Sequence, residues 1–574
     1  MHMYKRIHVF ALICLLFLGG CTVDENTDNL PSEGDATIVT PTTDPNTQPT
    51  SNPDSKPTPD DGTLVSCLKT TESGKVYIEV DGLPYNMVGA QIRLDGLLNR
   101  HFQFYPNAPM ALSYSEIEEY FKKAKECGIN TLGLSIDWKR IEVEKDVYEF
   151  ELIDKLLEMT NKYDLKCEFL WFSTNMCGDT HSFHLPNYIF NDAETYSRYE
   201  SKAYSENGMY GKFDWLVLND PDLMERETKV LEKLMQHVYE WNLINGEKNP
   251  LIGMQIHNES DGLVRWRLTQ KELKLNGVSV TPEELWKVTC DALDNAGKAV
   301  KNSKYKIYTR ANMTVTCGSG EFPQYFGKNL SPLDVLAREG IDIVGDDPYV
   351  EDPKIINKTI KSYSVNGNYP HIAENMGNYA SSPSLFLTAY QAGGSYIFYD
   401  FATPEYFVYM NKVNNSSYQM DQGLLNPDLS FKAHTEETIN IINGINKMGS
   451  VLPTIDNTNF IAFNVLTSLP QQELTQTICT ENLRIKYETK AGGIAYAIEH
   501  EGYLYVYSTT DCKITIENAT FTFKADLGHF NGMEYVVESS ETINPTVSIK
   551  GLNLYRIKIR NITEEVNSTS NNFV

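Results

Sequence analysis

Two glutamates stand where carboxyl chemistry could be done. Glu259 follows the apolar run LIGMQIHN, and Glu374 follows YPHIA. Each puts a carboxyl group just past the pattern of a buried strand, and strand C-termini are where the reactive groups of barrel enzymes stand. One carboxylic acid and one carboxylate suit cleavage of a glycosidic bond. The acid protonates the leaving oxygen and the carboxylate attacks the anomeric carbon, with about 5 to 5.5 Å between them when configuration is retained. That division of labour needs one group protonated and the other ionised at neutral pH. Other polar or aromatic residues share the strand-end position. Asn258 directly precedes Glu259, Tyr349 ends VGDDPY, and Arg93 ends MVGAQIR, where it would keep Glu374 ionised. Trp171 ends a third strand and is expected to floor a sugar subsite, while Asn175, His181, Tyr399 and Asp400 are candidate ligands to sugar hydroxyls.

The elements that must position these residues alternate regularly. KVYIEVDGLPYNMVGAQIR, from Lys75, reads as strands with a hairpin turn at Asp81-Gly82. Ile117, Tyr120, Phe121 and Ala124 follow helical spacing, Ser113 with Glu116 fits a capping box, and Gly128 closes the helix. NTLGLSIDW is a buried strand, a helix over residues 150–163 leads to a strand over 166–172, and a polar insertion runs to about Asp220. Helices over 223–241 and 283–300 lead into LIGMQIH and YKIYTR, and IDIVGDDPY, PHIAEN and GSYIFYDF complete the series. Eight short apolar strands at helix-sized intervals predict an α/β fold, a (β/α)₈ barrel over residues 63–448 that includes the N-terminal hairpin. An open doubly wound sheet is disfavoured because no Gly-rich phosphate loop follows any strand. From 449 to 574 the pattern becomes period-2 runs (GIAYAIEH, YLYVYST, KITIEN, TFTFKAD, LYRIKIR), as in a small all-β sandwich.

With those elements in place, the chain resembles the clan A retaining glycoside hydrolases, whose acid/base follows an Asn at strand four and whose nucleophile ends strand seven. It looks closest to bacterial β-galactosidases of families 35 and 42, through GINTLGLSIDWKRIEVEKDVYEFELIDKLLEMTNKYDLKCEFLWF and the later HSFHLPNYI. The resemblance covers most of residues 75–450. It implies that Glu259 is the acid/base, Glu374 the nucleophile, Asn258 a donor to the hydroxyl beside the anomeric centre, and Tyr349 a partner of the nucleophile. It also implies an oligo- or polysaccharide substrate, β-galactosidase-like exo-action, and no metal or organic cofactor. Family 35 enzymes carry Glu-Asn-Glu at strand four, whereas this chain has His257-Asn258-Glu259. Galactose specificity therefore stays open, as do an endo-acting glycanase and a non-catalytic glycan-binding lipoprotein.

The N-terminus has its own logic. Lys5 and Arg6 precede a short apolar run from Val9 to Leu18 and then Leu18-Gly19-Gly20-Cys21, a run too short to span a bilayer. Residues 1–21 resemble a bacterial lipoprotein signal with Cys21 as the lipid-bearing residue, and Asp24-Glu25 resembles the export tag of Bacteroides-type surface lipoproteins. Residues 22–62, rich in Pro, Thr and Asp, bury almost nothing and read as a disordered stalk, so the expected place is the outer membrane, lipid-anchored. A net charge of −26 repels phosphate polymers and excludes nucleic acid as a partner. The remaining cysteines are irregularly spaced, with Cys479 and Cys512 the one candidate disulfide, and His181 and His184 lack the partners a metal site needs.

Overall fold

The structure is a computed structural model. It describes residues 62–98, 112–176, 184–200, 216–264, 273–314, 330–365, 367–403, 422–465, 474–479, 484–489, 492–517, 520–543 and 546–560. Cys21 and the stalk lie outside these residues. From Thr63 onward the chain forms one compact unit.

Eight parallel strands close into a barrel: β1 (Val88–Ile92), β2 (Thr131–Asp137), β3 (Lys166–Met176), β4 (Leu251–Asn258), β5 (Tyr308–Met313), β6 (Ile343–Asp346), β7 (His371–Met376) and β8 (Ser395–Tyr399). Each strand pairs with the next in sequence, and β8 pairs with β1. These are the eight strands read from the sequence. Their residues are buried on both faces because helices cover the outside and side chains fill the inside. The covering helices begin with the expected signals. Helix α1 (Tyr114–Glu126) has the Ser113–Glu116 capping box, and α4 (Pro282–Lys301) has a second one between Thr281 and Glu284. Between them, α2 (Glu151–Lys162) and α3 (Pro221–Ile244) follow the predicted periodicity, and α3 is capped by Asp220. Helices α5 (Pro353–Tyr363), α6 (Ser382–Gln391) and α7 (Thr435–Asn446) complete the layer.

Strand alternation sorts β3 into two sets. Cys167, Phe169 and Trp171 belong to the main core cluster under the helices, whereas Leu170 and Phe172 form a separate buried pair. Within the barrel the Glu168 carboxylate accepts from Arg310 Nε at 3.1 Å and from the Tyr308 hydroxyl at 2.5 Å, and Arg310 Nη1 donates to Gln255 Oε1 at 2.5 Å. A buried charge pair is tolerable when its remaining hydrogen-bonding capacity is used in this way. Gly253 makes the room. A Cβ there would lie 2.4 Å from the Tyr308 ring.

The C-terminal strands are β9 (Phe460–Val465), β10 (Leu474–Cys479), β11 (Arg484–Thr489), β12 (Gly493–His500), β13 (Tyr503–Ser508), β14 (Cys512–Ile516), β15 (Thr520–Asn531), β16 (Glu534–Thr542), β17 (Thr546–Ile549) and β18 (Leu554–Arg560). They make a six-stranded sheet, β9-β12-β13-β18-β15-β16, and a four-stranded sheet, β10-β11-β14-β17. Phe463, Tyr487, Val506, Ile514, Val547 and Ile557 build a second core between the sheets, while Tyr496, Tyr507 and Leu554 on the other face of the six-stranded sheet join the barrel's core. This is why β12 and β13 are buried on both faces over most of their length.

The candidate disulfide is not formed. Cys479 pairs with Arg484 at one end of β11 and Cys512 with Thr489 at the other, and Cys512 is a free, buried thiol. Five residue steps of extended strand, Arg484 to Thr489, separate those ends, far more than a disulfide can bridge.

Candidate active site at the barrel mouth

The C-terminal end of the barrel holds three residues in left-handed backbone without glycine: His257 (φ 60°), Glu259 (φ 45°) and Tyr349 (φ 45°). For side chains of this size the conformation costs roughly 1 to 2 kcal/mol each. Specific contacts hold it.

At the strand-four corner His257 turns to the buried Glu227 of α3, its Nε2 3.1 Å from Oε1. The same oxygen accepts from Trp171 Nε1 at 2.9 Å and from the Ser173 hydroxyl at 2.6 Å. Burial alone would push the Glu227 carboxyl up, but the charge and hydrogen bond of His257, with the bonds from Ser173 and Trp171, outweigh it and hold the group below the ordinary glutamate range. One residue further on, Asn312 of β5 takes over. Its Oδ1 accepts the Glu259 N–H at 2.9 Å and its backbone carbonyl accepts the Ser260 N–H at 3.1 Å. Its Nδ2 donates to Asn258 Oδ1 at 3.0 Å and to Asp347 Oδ2 at 2.6 Å. Gln255 Nε2 donates to the same Asn258 oxygen at 3.2 Å, which fixes that carboxamide's orientation. Asn175, also buried, donates to the Ser260 carbonyl at 3.5 Å.

A second corner repeats the device. Asn375, the residue after Glu374, accepts the Val350 N–H at 3.1 Å and donates to the Val350 carbonyl at 3.2 Å, clamping the loop that carries Tyr349. The Tyr349 ring meets Tyr399 edge-on at 5.8 Å. Arg93 Nη1 donates to the Tyr399 hydroxyl at 2.8 Å, and the guanidinium lies 5.7 Å from the Phe172 ring centre. Glu374 is the fourth residue of β7, where the ladder to β8 is interrupted between Ile372 and Asn375. Asp400, joined to Tyr399 by a cis peptide, is buried beside this corner in the chain.

The fold thus gathers Asn258, Glu259 and Asn175 at one corner and Arg93, Tyr349 and Tyr399 at the other, with the backbone of Glu374 at the same end of the barrel. It does not bring Trp171. That ring is fully buried in the outward set of β3, stacked on Trp138 at 6.1 Å with its N–H spent on Glu227, so the sugar-floor expectation is corrected. Phe172, the next residue, takes the inward place beneath Arg93. His181 lies outside the described residues. His184 is buried, with Nδ1 2.5 Å from Asp137 Oδ1 and its ring edge-on to Phe172 at 5.3 Å. The sequence reading missed Asn312, Asn375 and Glu227. Asn312 was within reach of it, two residues past YKIYTR in the same strand-end position as the candidates. Among the described residues no group of three or more His, Cys, Asp or Glu side chains could hold a metal ion.

A family described as a domain of unknown function (DUF4978) matches residues 288–470. No curated protein matches the chain. Among solved structures, the chain is similar to an exo-β-1,4-mannosidase from Opitutaceae bacterium strain TAV5, at 13% identity and a TM-score of 0.44 over 66% of this chain and 62% of that one. It is similar at 12% identity and a TM-score of 0.43 to a β-galactosidase from the psychrophilic Marinomonas ef1, covering 63% of this chain and 60% of the other. The endo-1,4-β-mannanase of Rhizomucor miehei aligns at 12% identity and a TM-score of 0.43 over 66% of this chain and 99% of its own. The chain thus spans less than two thirds of the length of the first two. At these identities the likeness is one of fold.

Proposed function

We propose that this protein is a retaining glycoside hydrolase of the (β/α)₈ clan, acting on an oligo- or polysaccharide with Glu259 as general acid/base and Glu374 as nucleophile. The observation that carries the proposal is Glu259 itself. A glutamate is kept in left-handed backbone at the end of β4, where glycine would sit without strain, and a buried asparagine from the next strand holds it there. Glu247 and Glu501 take the same backbone in exposed turns; what sets Glu259 apart is its place at a strand end and the buried carboxamide that holds it there.

The chemistry runs in two steps. Glu374 attacks the anomeric carbon while Glu259 gives its proton to the leaving oxygen, and a glycosyl ester remains on Glu374. Glu259 then takes a proton from water, which displaces Glu374 and releases the sugar with its configuration retained. Asn258, its carboxamide oriented by Gln255 and Asn312, meets the hydroxyl beside the anomeric carbon. The preferred substrate reading is exo-action on a β-galactoside-like terminus. The protein is further proposed to ride on a lipid at Cys21 in the bacterial outer membrane, with residues 22–62 as the stalk.

The test is turnover of aryl β-galactoside, glucoside, xyloside, mannoside and arabinoside, beside Glu259→Gln and Glu374→Gln. One cleaved substrate, with activity lost in both variants, is the expected result. A wild type inactive on these and on longer oligosaccharides, yet binding them, would overturn hydrolysis in favour of glycan binding.

A further inference from the structure

Helix α7 carries an unusual solvent face. Its apolar side, Ile439, Ile441, Ile442 and Ile445, is buried, but the opposite side presents Asn440, Asn443 and Asn446, with Lys447 just past the helix end. Asparagine is a poor residue for an exposed helix face, because its carboxamide competes with the backbone for hydrogen bonds, and Glu, Lys or Gln would hold the helix better. Three such residues on one face are a local cost that packing explains only in part: Asn443 and Asn446 lie against Gly128, where a Cβ would meet their carboxamides at 2.8 and 3.0 Å. Asn446 has a structural task, donating to the Gly128 carbonyl at 2.7 Å. The side chains of Asn440, Asn443 and Lys447 have no hydrogen-bond or ion-pair partner among the described residues.

These groups form one wall of a cleft of about 460 Å³, whose other wall is Tyr507, His529 and Leu552 from the C-terminal sheets. The two walls are fixed to one another. The Tyr507 hydroxyl donates to the Asn440 carbonyl at 2.7 Å, and a Cβ on Gly444 would fall 2.4 Å from the Tyr507 ring, so the helix lies directly against the sheet. Among the described residues none that lines the cleft is acidic, although the chain carries a net charge of −26; a neighbouring carboxylate, Glu538, is taken up by His529 Nδ1 at 2.8 Å. That lining does not suit a metal ion or a cationic partner. Side-by-side amide donors and acceptors, one ammonium and an exposed Leu552 instead match adjacent hydroxyls and the apolar face of a sugar ring. The cleft is remote from the barrel mouth: Ile445 and Asn446 bond to Asn86 and Gly128, which lie at the N-terminal end of the barrel, before β1 and after α1.

We propose that this cleft is a second glycan-binding site, which holds a polysaccharide chain while the barrel mouth acts on it. The choice of a glycan rests on the hydrolase reading above, and the test separates the two. The full chain is run through native gels containing galactomannan, xyloglucan or arabinogalactan, beside the triple variant Asn440→Ala/Asn443→Ala/Lys447→Ala, and both are assayed on the aryl glycosides. The expected result is retardation of the wild type in at least one gel, reduced at least fivefold in the triple variant. Its aryl-glycoside turnover should be unchanged and its Tm equal or higher, since alanine favours the helix. Single Asn440→Ala and Asn443→Ala variants should each lose part of the retardation. Wild type that is not retarded, or a triple variant retarded as strongly as wild type, overturns the proposal. Retardation that depends on the cleft in a protein that cleaves no glycoside would sink the hydrolase reading and leave this site standing.

Discussion

The two ends of the barrel use the same device for different purposes. At the N-terminal end, Asn368 pairs its carboxamide with both the N–H and the carbonyl of Val344, and Asn130 accepts the Val88 N–H. The residues held there have ordinary strand backbone. At the C-terminal end, Asn312 and Asn375 make equivalent contacts, but what they hold is Glu259 and the loop of Tyr349, both left-handed. Elsewhere this conformation falls on turn and loop residues: Asp81, Asp146, Asp164, Asn249 and Asn276, whose short polar side chains tolerate it, and Glu247, Leu429, Glu501 and Leu552, which are not buried and, among the described residues, have no asparagine clamp of this kind. A clamp that closes a loop is architecture. A clamp that keeps a glutamate in a glycine's conformation argues that the side chain is wanted, and observed strain is a legitimate starting point for a functional hypothesis.

The strongest test of that contrast is chemical. Positioned acid/base groups contribute about 10² to 10⁴ in rate. Glu259→Gln and Glu374→Gln should therefore each lower kcat at least a hundredfold with little change in Tm. A variant that kept kcat would move the chemistry away from this end of the barrel.

Asn312→Ala should come next, and Asn368→Ala is its control. Each removes a buried carboxamide and leaves backbone groups unpaired, so each should cost about 1 to 3 kcal/mol of stability in urea denaturation. Only Asn312→Ala should also lower kcat, by about 10²-fold, because displacement of a reacting group by about 1 Å costs that much. Equal loss of activity in both variants would reduce the mouth clamp to architecture as well.

Glu227 offers a test through pH. Its folded pKa is lowered, so it contributes stability that is fully present above the unfolded value of about 4.3 and is lost as pH falls through the folded one. The Tm of wild type should therefore fall, as pH drops below about 5, more steeply than that of Glu227→Gln. The variant should be the less stable of the two at pH 7, since His257 loses its charged partner.

Much of the barrel was legible because parallel strands covered on both sides leave short, fully apolar runs, and all eight were read in order. Glu259 and Asn258 could be read from position alone. Trp171 could not, because the outcome depends on strand parity: Cys167, Phe169 and Trp171 face the helices while Glu168, Leu170 and Phe172 face inward, and ending the strand at Phe172 hid the fact that it runs on to Met176. Asn312 was missed by ending β5 three residues early, at Arg310. Glu227 was beyond reach, since a charged residue on an amphipathic helix gives no sign that the helix will bury it under a strand end. The C-terminal sheets were read as a small all-β sandwich, but that Tyr496 and Tyr507 pack on the barrel side was not; short-range alternation carries no record of a neighbouring domain.

The smallest effect is the most direct measure of strain. Glu259→Gly should abolish activity yet raise stability, since glycine adopts the φ of 45° without the clash that any Cβ makes. The gain should be about 0.5 to 1 kcal/mol, less than the full left-handed penalty because glycine also loses more freedom on folding. Asp81→Gly, in the hairpin turn, should gain less, because aspartate already tolerates this backbone. Denaturant midpoints of the two variants against wild type decide the matter. A destabilised Glu259→Gly would mean that the Glu259 side chain stabilises the corner, and the strain would no longer need a catalytic explanation.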